Sequence, residues 1–199
     1  MASRTTSAAA LIVPNQMKTP SQSIGRRACL LIAMSAALVV AGRADPTAVE
    51  DNDGHFAANF PSAVRRANRI VDKDIGQIVT FQVYASQGAV AFMVTYSDYP
   101  EGYVVKAGAA AFFKDAAKEA AEAAKGTIRG EDNCKLGDVA GLEVVIDGPD
   151  RAYVQRMRLY VVGDRLFQVT YIGPPDSEAG KAALDFLDSF RLLPVPETK

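Results

Sequence analysis

The sequence predicts an α+β fold: a central antiparallel sheet of about six strands flanked by helices on both faces, an α/β/α sandwich. Three observations carry this. Runs rich in β-branched and aromatic residues at 76–85, 89–97, 140–147 and 156–172 read as strands, and they lack the clean alternation of a sheet washed on one side. Two stretches, 109–125 and 177–193, switch to a helical period. Gly-containing breaks at 86–88 and 163–164 join neighbouring runs as hairpins.

The first 44 residues form a separate unit. They hold Arg4, Lys18, Arg26, Arg27 and Arg43 and no acid, and Arg26-Arg27 stands directly before the apolar run Ala28–Gly42. Gly42 and Ala44 supply a small-x-small site, so the segment reads as a signal peptide cleaved after Ala44. The run is shorter than the roughly 20 apolar residues that span a bilayer, so no stable membrane anchor is expected after cleavage. The arginine pair resembles a twin-arginine export signal, but Gly25 and Ala28-Cys29 flank it where that motif has a polar residue and a Phe. General secretion is the expected route. The long Ser-, Thr- and Ala-rich head before Arg26 leaves two further readings open, a start at Met17 or an organelle transit peptide. The expected location is the periplasm or the cell exterior, with the thylakoid lumen as the alternative.

Residues 45–54 (DPTAVEDNDG) read as an acidic linker, 55–194 as the domain and 195–199 as a tail. "HFAANFP" predicts a short strand, followed by a basic turn at Arg65, Arg66 and Arg69. "GQIVTFQVYA" and "AVAFMVTYS" predict a hairpin across Ser86-Gln87-Gly88, and 98–102 (DYPEG) breaks it. From 109 to 125, Phe112, Phe113, Ala116, Ala117, Ala120, Ala123 and Ala124 recur at helical spacing, with Lys114, Asp115, Lys118, Glu119 and Glu122 on the wet side. The inner surface is mostly Ala, which lets a helix approach a sheet closely, and Gly126 supplies the stop. "GTIRGEDNCKL", read as loop-like around Cys134, and "AGLEVVID" follow. The last helix starts after Pro174-Pro175 with Asp176 or Ser177 as N-cap, and Ala179, Ala183, Phe186, Leu187 and Phe190 form its apolar stripe.

Composition narrows the function classes. Residues 45–199 carry 17 Lys and Arg against 23 Asp and Glu, a net −6. That balance argues against nucleic acid as a partner, since such binding needs clustered positive charge. Cys29 leaves with the leader and Cys134 is then alone, so no disulfide is expected and Cys134 reads as an inert thiol. His55 is the only histidine, and there is no G-x-S-x-G nucleophile elbow. "DNDGH" is no calcium loop, because Val49 and Phe60 would fall where carboxylates are required. Glu131-Asp132 and Asp147/Asp150 read as solvated turn residues. No catalytic residue, metal site or cofactor is expected.

The segment "RMRLYVVGDRLFQVTYI", 156–172, decides the layering. A two-residue loop at Gly163-Asp164 sets Val162 opposite Arg165, Tyr160 opposite Phe167, Arg158 opposite Val169 and Arg156 opposite Tyr171. One face then carries Tyr160, Phe167, Val169 and Tyr171 with both arginines. The other carries Met157, Leu159, Val161, Leu166 and Ile172 with Gln168 and Thr170. Both faces read as core. Arg156 and Arg158, beside Tyr160 and Tyr171, are the candidate contact for an anion or for a partner's carboxylates. The competing reading is that each arginine stem covers a sheet margin while its head reaches water.

The order strand, hairpin, helix, strands, hairpin, helix, with "VAGLEVV" before "RLYVVGDRLFQVTYIGPP" and a closing "FLDSFRLL", resembles the PsbP-like family of small exported domains over His55 to Leu193. The resemblance implies a central antiparallel sheet flanked by helices, a fold shared with a Ran-release factor of nuclear transport. It further implies binding and assembly roles rather than catalysis; photosynthetic members are extrinsic subunits or assembly factors on the lumenal side of photosystems. The quoted motifs are mainly structural, and unlike many photosynthetic members the chain has no Trp. The leading expectation is therefore a non-enzymatic accessory domain with a protein partner. The alternatives are a binder of a small anion or lipid, and a hydrolase built on His55 or paired acids.

Overall fold

The computed structural model describes residues 47–73 and 75–194; the leader 1–44, with Cys29 and the cleavage position, and the tail 195–199 lie outside them. Among the described residues, ten strands and three α-helices follow in order: β1 (Thr47–Asp51), β2 (Phe56–Phe60), β3 (Arg65–Lys73), β4 (Gly76–Gln87), β5 (Val90–Asp98), α1 (Tyr103–Ala107), α2 (Ala109–Ala123), β6 (Thr127–Leu136), β7 (Val139–Asp147), β8 (Val154–Val162), β9 (Arg165–Gly173), α3 (Lys181–Ser189) and β10 (Arg191–Leu192). The central sheet has seven antiparallel strands in the order β3-β4-β5-β9-β8-β7-β6, and β1, β2 and β10 form a second, three-stranded sheet.

Three hairpins close with the same two-residue loop. Gly88-Ala89, Gly137-Asp138 and Gly163-Asp164 lie between the paired residues Gln87↔Val90, Leu136↔Val139 and Val162↔Arg165. In each, Gly takes the first loop position with φ of 61°, 59° or 60°, a conformation that costs other residues a clash at Cβ. The register anticipated for 156–172 is the observed one, so the face assignment holds.

Both faces of the central sheet are core. On one, α1 and α2 cover Ile78, Val144, Ile146, Met157, Leu159 and Leu166, with Phe112, Ala116, Ala117 and Ala120 facing inward. On the other, Phe92, Val94, Tyr96, Tyr160, Phe167 and Tyr171 pack with Phe56, Phe60, Phe186 and Phe190. Helices above and below were expected, and the second layer adds the small sheet beside α3. Within the stretch read as an acidic linker, Thr47–Asp51 pairs with β2 and buries Val49, and the Asp51 carboxylate accepts from the Gly54 amide at 2.8 Å.

Other local readings are corrected by packing. Arg65, Arg66 and Arg69 lie in β3 rather than a turn, and Glu131, Asp132 and Cys134 lie in β6 rather than a loop, because each segment finds a hydrogen-bonding neighbour strand. Glu119, placed on the wet side of its helix, is 6% exposed, since the inward stripe of α2 is wide enough to take it in. The stop after α2 is shared: Lys125 takes the left-handed conformation at φ 50°, while the Gly126 amide reaches back to the Ala121 carbonyl at 2.9 Å. Gly126 is needed there for space, because a Cβ would sit 2.3 Å from the Asp147 carbonyl oxygen. α3 begins at Lys181, not near Ser177. The Ser177 hydroxyl donates to the Pro174 carbonyl at 2.6 Å and its amide turns to the same carbonyl, so this serine closes a loop and leaves Ala179 exposed.

Candidate functional site

The four candidate residues come together, though not as an open site. Arg156 and Arg158 lie two apart on β8, so their side chains leave the same face, and Glu143 on β7 stands opposite Arg158. Arg156 donates to Glu143 at 2.6 Å and Arg158 at 2.7 Å, so one carboxylate is held by two guanidiniums. The outer ends of the arginines hold the next layer: Arg158 reaches Asp188 on α3 at 2.7 Å, and Arg156 donates to the Glu178 carbonyl at 2.9 Å. Both arginine side chains are 17% exposed and Glu143 is 13% exposed. The heads do not simply reach water; they clamp α3 and the loop 174–180 onto the sheet.

Burial alone would push the Glu143 carboxyl up, but the hydrogen bonds and charges of Arg156 and Arg158 outweigh it and hold it below the ordinary carboxylate range. Arg158 is in turn held more firmly protonated, its own burial offset by Glu143 and Asp188. The tyrosines lie beneath this clamp. Tyr160 and Tyr171 are 1% and 3% exposed. Tyr160 stacks on Phe190 at 5.9 Å, and the Tyr171 hydroxyl shares a hydrogen bond of 3.0 Å with Ser177. Their rings are core, so the aromatic half of the anticipated contact is not presented outward.

The remaining chemistry-bearing groups are also placed. His55 sits in the β1–β2 turn at φ 55°, where its carbonyl accepts from the Leu193 amide at 2.8 Å. Cys134 is half-buried against the aromatic layer, and burial pushes its thiol up, away from the reactive thiolate. Asp147 meets Arg129 at 3.4 Å and Arg151 at 3.8 Å. Among the described residues, no group of three or more His, Cys, Asp and Glu side chains could hold a metal ion, and no helix is long and apolar enough to cross a membrane.

Two features that composition did not single out stand in the structure. On the sheet face that carries Ile78, Met157 and Leu166, the polar residues Thr80, Thr95, Ser97, Gln155, Gln168 and Thr170 are also buried. Thr80 and Ser97 hydrogen-bond each other at 2.9 Å. Thr95 pairs with Gln168, Thr170 with Met157, and Gln155 with Ile172, so Thr95, Thr170 and Gln155 step diagonally across β5, β9 and β8. Among the described residues, the hydroxyls of both threonines and the Gln155 Oε1 have no hydrogen-bond partner. The second feature is the sheet edge at β3, where Arg65, Arg66, Ala67, Asn68 and Ile70 are exposed on both faces of the ribbon.

No protein-family model matches the chain, and no curated protein matches it in sequence. A solved structure that it resembles is the solution structure of cyanobacterial PsbP (CyanoP) from Synechocystis sp. PCC 6803. The TM-score is 0.52 at 10% identity, over 77% of this chain and 95% of that one. The chain therefore has a PsbP-like α-β sandwich fold, in agreement with the likeness visible in its motifs.

Proposed function

We propose that the protein is a non-enzymatic binding domain, exported to an extracytoplasmic aqueous space, that acts there as an accessory or assembly-type component for a protein partner. The observation that carries this reading is the fold, shared over nearly the whole domain with a PsbP. The residue chemistry agrees with it. The arginines of the β8–β9 hairpin serve the scaffold through the Glu143 clamp, and His55 and Cys134 are held by turn geometry and by burial. The periplasm or cell exterior is the proposed location, with the thylakoid lumen as the alternative.

Chemical crosslinking of the full chain in its native exported fraction tests the reading. The expected outcome is a discrete, reproducible adduct and a native size larger than the monomer. A chain that stays monomeric and uncrosslinked at native abundance would sink it.

A second reading, a binder of a small anion or lipid head group, has its own supporting observation in the diagonal of unpartnered polar atoms at Thr95, Thr170 and Gln155. Buried polar atoms of this kind cost roughly 1–3 kcal/mol each until satisfied, so a small polar guest between α2 and the sheet would be stabilising. A saturable rise in melting temperature with acetate, phosphate or a short-chain lipid phosphate, lost in Thr170→Val, is the expected result. Equal shifts in both proteins count against it.

A further inference from the structure

We infer that β3 is a docking edge that accepts an extended acidic segment of a partner protein as an eighth strand of the central sheet. The inference rests on the binding-domain reading and names the partner's chemistry. A strand at the end of a sheet presents unpaired N–H and C=O groups, and folded proteins usually blunt such an edge. The two edges of this sheet are blunted differently, β6 by an irregular ladder and β3 by charged side chains alone. Along β6 the ladder is interrupted by a bulge between Ile128 and Gly130. Along β3 the pairing runs unbroken from Arg65↔Tyr84 to Lys73↔Gly76, with no bulge and no proline. Among the described residues no strand lies beyond β3.

The side chains on this edge define what fits. Arg66, Asn68 and Ile70 stand opposite Val83, Phe81 and Val79, on the aromatic face, while Arg65 and Ala67 stand opposite Tyr84 and Gln82 on the other. Arg66 makes a 3.4 Å contact with Asp51 and is 56% exposed, and Ile70 is 63% exposed. Adjacent arginines on opposite faces call for two adjacent acids in the incoming strand. Ile70 lies four positions beyond Arg66 on the same face, so an apolar residue four positions from the second acid completes the match.

A second copy of this chain fits poorly. Pairing β3 with β3 about its central residue sets Arg69 against Arg69 and Arg65 against Lys73, with Arg66 and Asp72 as the one opposite-charge match. β6 does contain Glu131-Asp132 with Leu136 at the required distance, but that register sets Lys135 against Arg69. Like charges directly opposite are destabilising in either arrangement.

The probe is a fluorescein-labelled peptide, Thr-Thr-Glu-Glu-Thr-Thr-Thr-Val-Thr-Thr, with its reversed-order twin, titrated into the full chain. Saturable binding of one order is expected, weakened about tenfold or more in the double variant Arg65→Glu, Arg66→Glu. A Lys-Lys version of the peptide should recover binding to that variant. Strand addition adds a signature that charge alone lacks, because only alternate amides of the peptide face β3. N-methylation in one alternating frame should abolish binding and in the other spare it. Equal binding of both frames, no binding of either order, or no effect of the arginine variant would overturn the inference. So would concentration-dependent self-association in sedimentation velocity that Asp132→Lys abolishes. If crosslinked assembly in the native fraction persists in the arginine variant, the edge fails while the binding-domain reading stands. If the peptide binds but the native chain never assembles, the binding-domain reading fails and the edge remains a peptide site.

Discussion

Glu143 is the residue on which the upper layer hangs. Its two arginines are nearly buried, and each carries a second partner on α3 or the loop before it. Removing one member of such a group leaves the rest charged and unpaired, so Glu143→Gln should cost on the order of 3 kcal/mol in denaturant unfolding. The pH dependence has a definite sign. The folded-state carboxyl is held below its ordinary value, so its contribution is full above the unfolded value of about 4.3 and fades as pH falls through the folded value. Wild-type stability should therefore decline below about pH 4.3 with a component that Glu143→Gln lacks. Identical acid limbs in the two proteins would refute the assignment. Neither arginine's partner was legible in the sequence, because the alignment of β7 with β8 depends on the irregular connection 148–153, which carries no two-residue turn signal. Asp188 likewise falls outside the apolar stripe that the sequence marks on the last helix.

At the level of elements, α2 and α3 show which signals are local. Of the stripe Ala179, Ala183, Phe186, Leu187 and Phe190 that spacing marks, the structure buries the last four and leaves Ala179 exposed before the helix. Phe186 touches Phe60 at 5.1 Å and Phe92 at 5.3 Å, so Phe186→Ala should cost about 3–5 kcal/mol. An unchanged melting temperature would show that α3 is not docked. The start of α3 was misread because a serine after two prolines satisfies the N-cap pattern, and only the Ser177–Pro174 and Ser177–Tyr171 contacts reveal that its hydroxyl is engaged elsewhere. The end of α2 yields a paired prediction. Lys125 occupies a left-handed position and Gly126 a crowded one. Lys125→Gly should stabilise by up to about 1 kcal/mol, whereas Gly126→Ala should destabilise. Equal effects of the two changes on the thermal midpoint would contradict this division of roles.

For the whole molecule, the layered architecture ranks the strands by protection. β5 and β9 lie inside the seven-stranded sheet with a packed layer over each face, whereas β3 lies at an edge where Arg65, Arg66, Ala67, Asn68 and Ile70 are exposed. Native-state hydrogen exchange should be slowest in Val90–Asp98 and Arg165–Gly173 and fastest, among the strands, in Arg65–Lys73. Comparable rates in β3 and β9 would mean that the edge is covered in solution, which would also remove the docking surface proposed above. The sequence by itself determined the two-sided sheet, the register of the 156–172 hairpin and the helical period of α2 and α3, because strand alternation, helical period and a Gly-containing two-residue loop are set by neighbours a few residues away; it set the first hairpin's loop at 86–88 where the structure has Gly88-Ala89, and it left the Gly137-Asp138 hairpin unread. Only the tertiary structure decided that a three-stranded sheet shares a layer with α3, that Arg156 and Arg158 close on Glu143, and that the basic segment at 65–70 is an open edge. Those outcomes depend on which distant strands lie side by side, and pairing across long connections is chosen by the packing of the whole core rather than by any local pattern.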